Sequence, residues 1–105
     1  PLWLAPDQVA VLPVSEKYND FAKKVCDLLN NSDIRASIDD RNETIGKKIR
    51  ENELKRMPFQ LIVGEKEVSS NSVSVRKQGG EDLGAMAVEQ FVAYIKAEIE
   101  AQLAK

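Results

Sequence analysis

The side chains in this sequence that could do chemistry are amides, carboxylates and guanidinium groups, because histidine is absent and cysteine occurs once, at Cys26. Those counts exclude a His-based triad, a Cys–His nucleophile pair, a zinc finger and a disulfide scaffold. Recognition chemistry remains. Asn42 offers an amide, Glu67 a carboxylate, and Arg41 and Arg76 guanidinium forks, each at or just after the end of a short apolar run. That mixture of donors and acceptors suits the polar edge of a planar ligand such as a nucleobase. The other singled-out residues read as structural. Cys26 lies among apolar helix neighbours as a small hydrophobe, with no histidine to activate it. Asp39-Asp40 would suit a metal or phosphoacceptor pair, but the companion carboxylates and lysine of such a centre are missing. Gly64 and Gly79-Gly80 lack the context of a phosphate-cradling loop and mark turns.

The elements that must position these groups follow from periodicity. Residues 8–14 form a short apolar run of strand length, with Pro13 marking its end. Tyr18, Phe21, Ala22, Val25, Leu28 and Leu29 recur at helical spacing, and Asn30-Asn31-Ser32-Asp33 stops that helix. Residues 34–38 alternate as a strand with one polar face. After the polar loop 39–44, Thr44 can cap a helix from Ile45 to about Arg56 whose apolar face is Ile45, Ile49 and Leu54. Residues 59–63 are a compact strand, 67–69 a short strand, and 73–76 another. From about Ala87 a last helix carries Val88, Phe91, Val92, Ile95, Ile99 and Leu103 on one stripe. The order β-α-β-α-β-β-β-α predicts a three-layer α/β/α domain. Its five-stranded mixed sheet is mostly parallel, with one antiparallel strand and three helices.

At 105 residues the chain is one domain, too short for a typical two-domain enzyme. It opens Pro1-Leu2-Trp3 without an initiator methionine and is expected to be a segment of a longer protein. Trp3 is expected to anchor the incoming segment by packing. No secretory pattern or membrane-spanning run appears, so a cytoplasmic setting without membrane contact is the default. If strands one, two, three and five are parallel, residues 15–17, 39–44, 64–67 and 76–77 converge on one carboxyl edge, where open α/β sheets bind ligands. Charge supports that edge. Residues 35–77 hold ten Lys+Arg against seven Asp+Glu, although the whole chain is −2. Arg41, Lys47, Lys48, Arg50, Lys55 and Arg56 cluster on one loop and helix, which fits phosphate contacts beside base reading. A plain solvated helix face has the same composition.

Trp3-Leu4-Ala5-Pro6 followed by Asp40-Arg41-Asn42-Glu43-Thr44-Ile45-Gly46-Lys47-Lys48-Ile49-Arg50 resembles the C-terminal anticodon-binding domain of class II aminoacyl-tRNA synthetases. Pro58-Phe59-Gln60-Leu61-Ile62-Val63-Gly64-Glu65-Lys66-Glu67-Val68, Val73-Ser74-Val75-Arg76 and Asp82-Leu83-Gly84-Ala85-Met86 extend the resemblance over nearly the whole chain, towards the bacterial threonyl members. The resemblance implies a noncatalytic domain that grips the anticodon stem-loop of threonine tRNA and reads its last two anticodon bases, a guanine and a uracil. Family base-reading positions match Asn42, Glu67 and Arg76. Arg50 matches a basic helix position near the anticodon loop, and Arg41, Lys47 and Lys77 are further RNA-backbone candidates. Gln78 departs from an arginine of the family pattern and is followed by Gly79-Gly80, which weakens the expectation of a phosphate contact at that turn.

The resemblance also implies an upstream catalytic domain in the same chain that performs ATP-dependent aminoacylation with ATP, magnesium and zinc, none of them held by this segment. The full-length enzyme would be a homodimer and the segment a monomer. Other readings are an anticodon-binding domain of a prolyl, glycyl or histidyl synthetase, a small-ligand-binding α/β module, or an interaction domain that dimerises through its helix faces. The second lacks a glycine loop where Val14-Ser15-Glu16-Lys17 stands.

Overall fold

The structure is a computed structural model describing residues 7–103; the Trp3-Leu4-Ala5-Pro6 motif lies outside them. The strands are β1 (Val9–Pro13), β2 (Ala36–Ile38), β3 (Phe59–Val63), β4 (Ser72–Lys77) and β5 (Glu81–Ala87), in spatial order β2-β1-β3-β4-β5. The helices are α1 (Asn19–Asn31), α2 (Ile45–Leu54), α3 (Glu65–Ser70) and α4 (Val88–Leu103). β1 pairs parallel with β2 and β3, with α1 and α2 in the two connections. β4 runs antiparallel to both β3 and β5. The sheet is therefore mixed, with a single strand reversed.

The reversed strand is not the predicted one. Residues 67–69 belong to α3, and the antiparallel strand is β4. The physical cause is local. Glu65 and Glu67 occupy the first turn of α3, where the helix dipole favours carboxylates. Glu67 reaches back to accept a hydrogen bond from the Gly64 N–H at 2.9 Å, and Asn71 ends the helix in the left-handed region at φ 53°. The link from β3 to β4 is then too short for a parallel crossover, so β4 must return antiparallel. The fifth strand is β5, where no regular alternation stands; Gly84 there adopts φ +81°.

Strand alternation divides the sheet into two faces. Val9, Val11, Phe59, Leu61, Val63, Val73 and Val75 point to the side covered by α1 and α4, with Ala22, Val25, Leu29, Phe91 and Ile95 completing the core. Phe59 meets Phe91 and Tyr94 edge-on, at centroid distances of 5.5 and 5.8 Å. Cys26 joins this core, its thiol donating to the Ala36 carbonyl and held protonated by burial. The opposite face mixes the apolar Ala10, Leu12 and Ile62 with Gln60, Ser74 and Arg76, and among the described residues α2 is the helix that covers it. Thr44 caps α2 as predicted, its hydroxyl accepting from the Lys47 N–H. The predicted apolar stripe of α2 needs correction, because Leu54 is 79% exposed while Lys48 and Asn52 are buried. The inward line is the half-buried Ile45 and Ile49 with the buried Lys48 and Asn52, the i, i+3, i+4, i+7 positions of one face. Lys48 donates from Nζ to the Pro13 carbonyl at 3.1 Å, fastening α2 to the end of β1.

Both sheet edges are irregular. β2 has three residues, and the β4–β5 ladder shifts register between Val75 and Arg76.

Candidate nucleic-acid interface

The candidate site is built where the α2 face of the sheet meets the carboxyl edge. Arg41 organises the loop after β2. Its Nε and Nη2 donate to the two oxygens of Asp39 at 2.7 and 2.8 Å, and its Nη1 donates to Glu51 on α2 at 2.7 Å. Arg41 holds the Asp39 carboxyl down at about 2 against an ordinary value of 3.8, with a second hydrogen bond from Asn52 assisting. The same guanidinium lowers Glu51 and is itself held protonated by both carboxylates. These bonds tie the loop to α2.

Asn42 is exposed on that loop and lines a cavity of about 280 Å³ together with Ser15, Asn19, Asp40 and Lys48. Val14 closes the cavity on one side and also lies against Gly64, whose absent Cβ would sit 3.1 Å from Val14 Cγ2 and 3.4 Å from Glu67 Oε1. A side chain at position 64 would require Val14 to give way by a few tenths of an ångström. Glu67 and Asn42 thus flank one edge, bridged by Val14. The half-buried Glu67 has Oε1 fixed by the Gly64 N–H, which orients the carboxylate while both oxygens keep lone pairs for a ligand.

Arg76 is elsewhere. Because β4 is antiparallel, Arg76 lies opposite Gln60 near the start of β3, three residues before Val63 and about 10 Å from the carboxyl edge. The expectation that all the polar groups share one rim is corrected on this point. Arg76 is on the α2 face of the sheet, its Nη2 3.6 Å from Glu53 of α2 and its side chain 29% exposed. Across β4 and β5, Arg76 pairs in register with Asp82 and Ser74 with Ala85. Two groups at an edge and a third on the adjoining open face make an L-shaped surface.

The backbone candidates separate. Lys47 and Arg50 are exposed one turn apart on α2, with Lys47 3.3 Å from Glu43. Arg41 presents only the N–H bonds left over from its two carboxylate partners. Lys77 pairs in register with Phe59, and its charge acts on Tyr94 of α4, so it faces the side opposite Arg76. Lys48, counted among the basic cluster, is internal. Gln60, Glu53 and Asn52 escaped the sequence reading, although a lone glutamine at an alternate position of an apolar strand was a signal that it faces away from the core. Among the described residues no group of three or more His, Cys, Asp or Glu could hold a metal, and no helix is long and apolar enough to cross a membrane.

Residues 8–98 match the family model described as "Anticodon binding domain". The chain belongs to the anticodon-binding domain family. The domain is 58% identical over 104 residues to the threonine–tRNA ligase of Cytophaga hutchinsonii, covering 99% of this chain and 16% of that protein. It is 56% identical over 100 residues to that of Parabacteroides distasonis, covering 95% of this chain and 15% of that one. Among solved structures, the RNA-binding domain of threonyl-tRNA synthetase from Cryptosporidium parvum superposes with TM-score 0.87 at 31% identity, over 92% of this domain and 24% of that chain. Prolyl-tRNA synthetase from the same organism gives 0.84 at 26% identity, over 96% and 22%. The domain therefore spans about a sixth of the length of the curated relatives it matches.

Proposed function

We propose that this domain is the tRNA-reading part of a threonine–tRNA ligase, and that it binds the anticodon loop of threonine tRNA and reads its last two bases. The observation that carries the proposal is identity to threonine–tRNA ligases over nearly the entire chain. The prolyl, glycyl and histidyl alternatives and the small-ligand module have no comparable support. Activation of threonine with ATP and magnesium, any zinc site and the homodimer contact fall to the rest of the enzyme, with the domain itself a monomer in the cytoplasm.

The chemistry follows from the donor set. The Glu67 carboxylate accepts from the N1–H and exocyclic amine of guanine, an edge no other base presents. The Asn42 amide and Arg76 guanidinium together serve uracil's carbonyls and N3–H. Loop bases are unpaired and offer these edges freely. Lys47 and Arg50, with lesser help from Arg41, contact phosphates and set the register without reading sequence, while Lys77 faces away from this surface.

Titration of anticodon stem-loops into the domain tests this. The threonine loop should bind best, and swapping either of its last two anticodon bases should cost about tenfold or more, the lower range for a bidentate base contact. Glu67→Gln and Arg76→Ala should each remove one discrimination with little change in melting temperature. Equal affinity for all loops would refute the proposal.

A further inference from the structure

Two buried polar atoms in the described structure have no hydrogen-bond partner, Gln60 Oε1 and Arg76 Nε. Buried polar groups are nearly always paired, so each exception asks for an explanation. These two are complementary, one an acceptor and the other an N–H donor. They also belong to residues directly opposite in register on β3 and β4, a placement that sets Cβ atoms about 5 Å apart on one face.

The orientation of Gln60 is determined. The residue is 2% exposed, and its Nε2 donates to the Ile49 carbonyl of α2 at 3.3 Å, so the amide cannot be turned end for end without losing that bond. The oxygen is therefore held as an acceptor beneath the open sheet face. Arg76 is drawn off in another direction, its Nη2 lying 3.6 Å from Glu53, a long and half-exposed ion pair of the weak kind. In this pose the guanidinium serves Glu53 with one terminal nitrogen and strands its Nε–H.

We infer that Gln60 is a positioning residue for Arg76. When a base supplies acceptors for the terminal nitrogens, the side chain leaves Glu53, and its Nε–H takes Gln60 Oε1. That bond fixes the plane of the guanidinium fork, leaving its two terminal nitrogens directed at the base edge. One movement thus removes both unpaired atoms and converts a flexible cation into an oriented reader. Glu53 holds the resting pose and gives way to RNA. The inference rests on the assignment of Arg76 as a base reader.

The experiment compares wild type, Gln60→Leu, which has no acceptor, and Gln60→Glu, which keeps one, binding cognate and base-swapped threonine anticodon stem-loops. Gln60→Leu is expected to weaken the cognate loop about tenfold and to shrink discrimination at the base Arg76 reads. Discrimination at the base Glu67 reads and the salt dependence should be unchanged, and Gln60→Glu should restore affinity. In parallel, the Arg76 Nε–H resonance of the wild type should gain protection from solvent exchange when cognate RNA is added. Unchanged discrimination in Gln60→Leu, or a uniform loss at both bases, would overturn the inference, as would an Nε–H that stays unprotected in the wild-type complex. This last measurement decides the matter even if Gln60→Leu does not fold. If wild type itself fails to distinguish the loops, it is the anticodon-reading proposal that falls.

Discussion

The two faces of the sheet are built to different standards. On the α1/α4 side the strand residues of the core are apolar, with Val9, Val11, Leu61, Val73 and Val75 fully buried and Lys77 at the end of β4 the charged exception. On the α2 side the same strands present Gln60 and Arg76, each leaving a buried polar atom unpaired, and the covering helix buries a lysine. One face therefore secures the fold by apolar burial, and the other mixes the buried Ala10 and Leu12 with polar groups whose pairing is incomplete. The difference teaches where to look for recognition in a small α/β domain: on the face that packs less well, beside the single helix that covers it.

The comparison breaks most sharply at Phe59. Phe59→Ala opens a cavity against Phe91 and Tyr94, and should cost about 3–5 kcal/mol in denaturant unfolding while a folded remainder keeps its base preference. If base preference fell along with stability, the two faces would not be separable. The next effect lies on the α2 side. The Asp39 carboxyl is depressed to about 2 in the fold, so its contribution is present above about pH 4 and is lost as pH falls from there towards 2. Unfolding followed over that window should show about 1–2 kcal/mol of loss that Asp39→Asn abolishes. A slope identical in the variant would mean that Arg41 does not tie the loop as described. The smallest effect concerns charge alone. Lys47→Ala and Arg50→Ala should each reduce the slope of log affinity against log salt by about 0.7–1 while leaving base preference intact, which a filter-binding series in salt measures. A changed preference would move these residues from the phosphate backbone to the bases.

How much of this was legible beforehand varied with the physics of each element. β3 coincides with its predicted span because five consecutive apolar or strand-compatible residues are bounded by Pro58 and Gly64. The Thr44 cap and most of the α1 stripe were equally plain, since capping and periodicity are local signals, but Leu28 is 40% exposed and Cys26 takes a place in the buried face. α3 was hidden because its cause is one hydrogen bond from the Gly64 N–H to the Glu67 carboxylate rather than a pattern. β5 was hidden although its pairing with β4 is a local hairpin across residues 78–80, because 81–87 carries no regular apolar alternation. Asn42, Glu67 and Arg76 all emerged as candidates, yet their arrangement did not: assigning β4 the wrong direction moved Arg76 from the sheet face to the rim. Lys48 shows a different limit. Its burial depends on the free carbonyl of Pro13 at the end of a strand 35 residues earlier, which no count of charges reveals.

The irregular sheet edges have a consequence of their own. An exposed strand offers its unpaired amides to any neighbouring copy, and natural proteins blunt such edges with short strands and bulges. Here the outer rows are a three-residue strand on one side and, on the other, a strand whose Gly84 turns to φ +81°. Neither presents a long flat ladder. Edge-to-edge stacking of copies is thereby disfavoured.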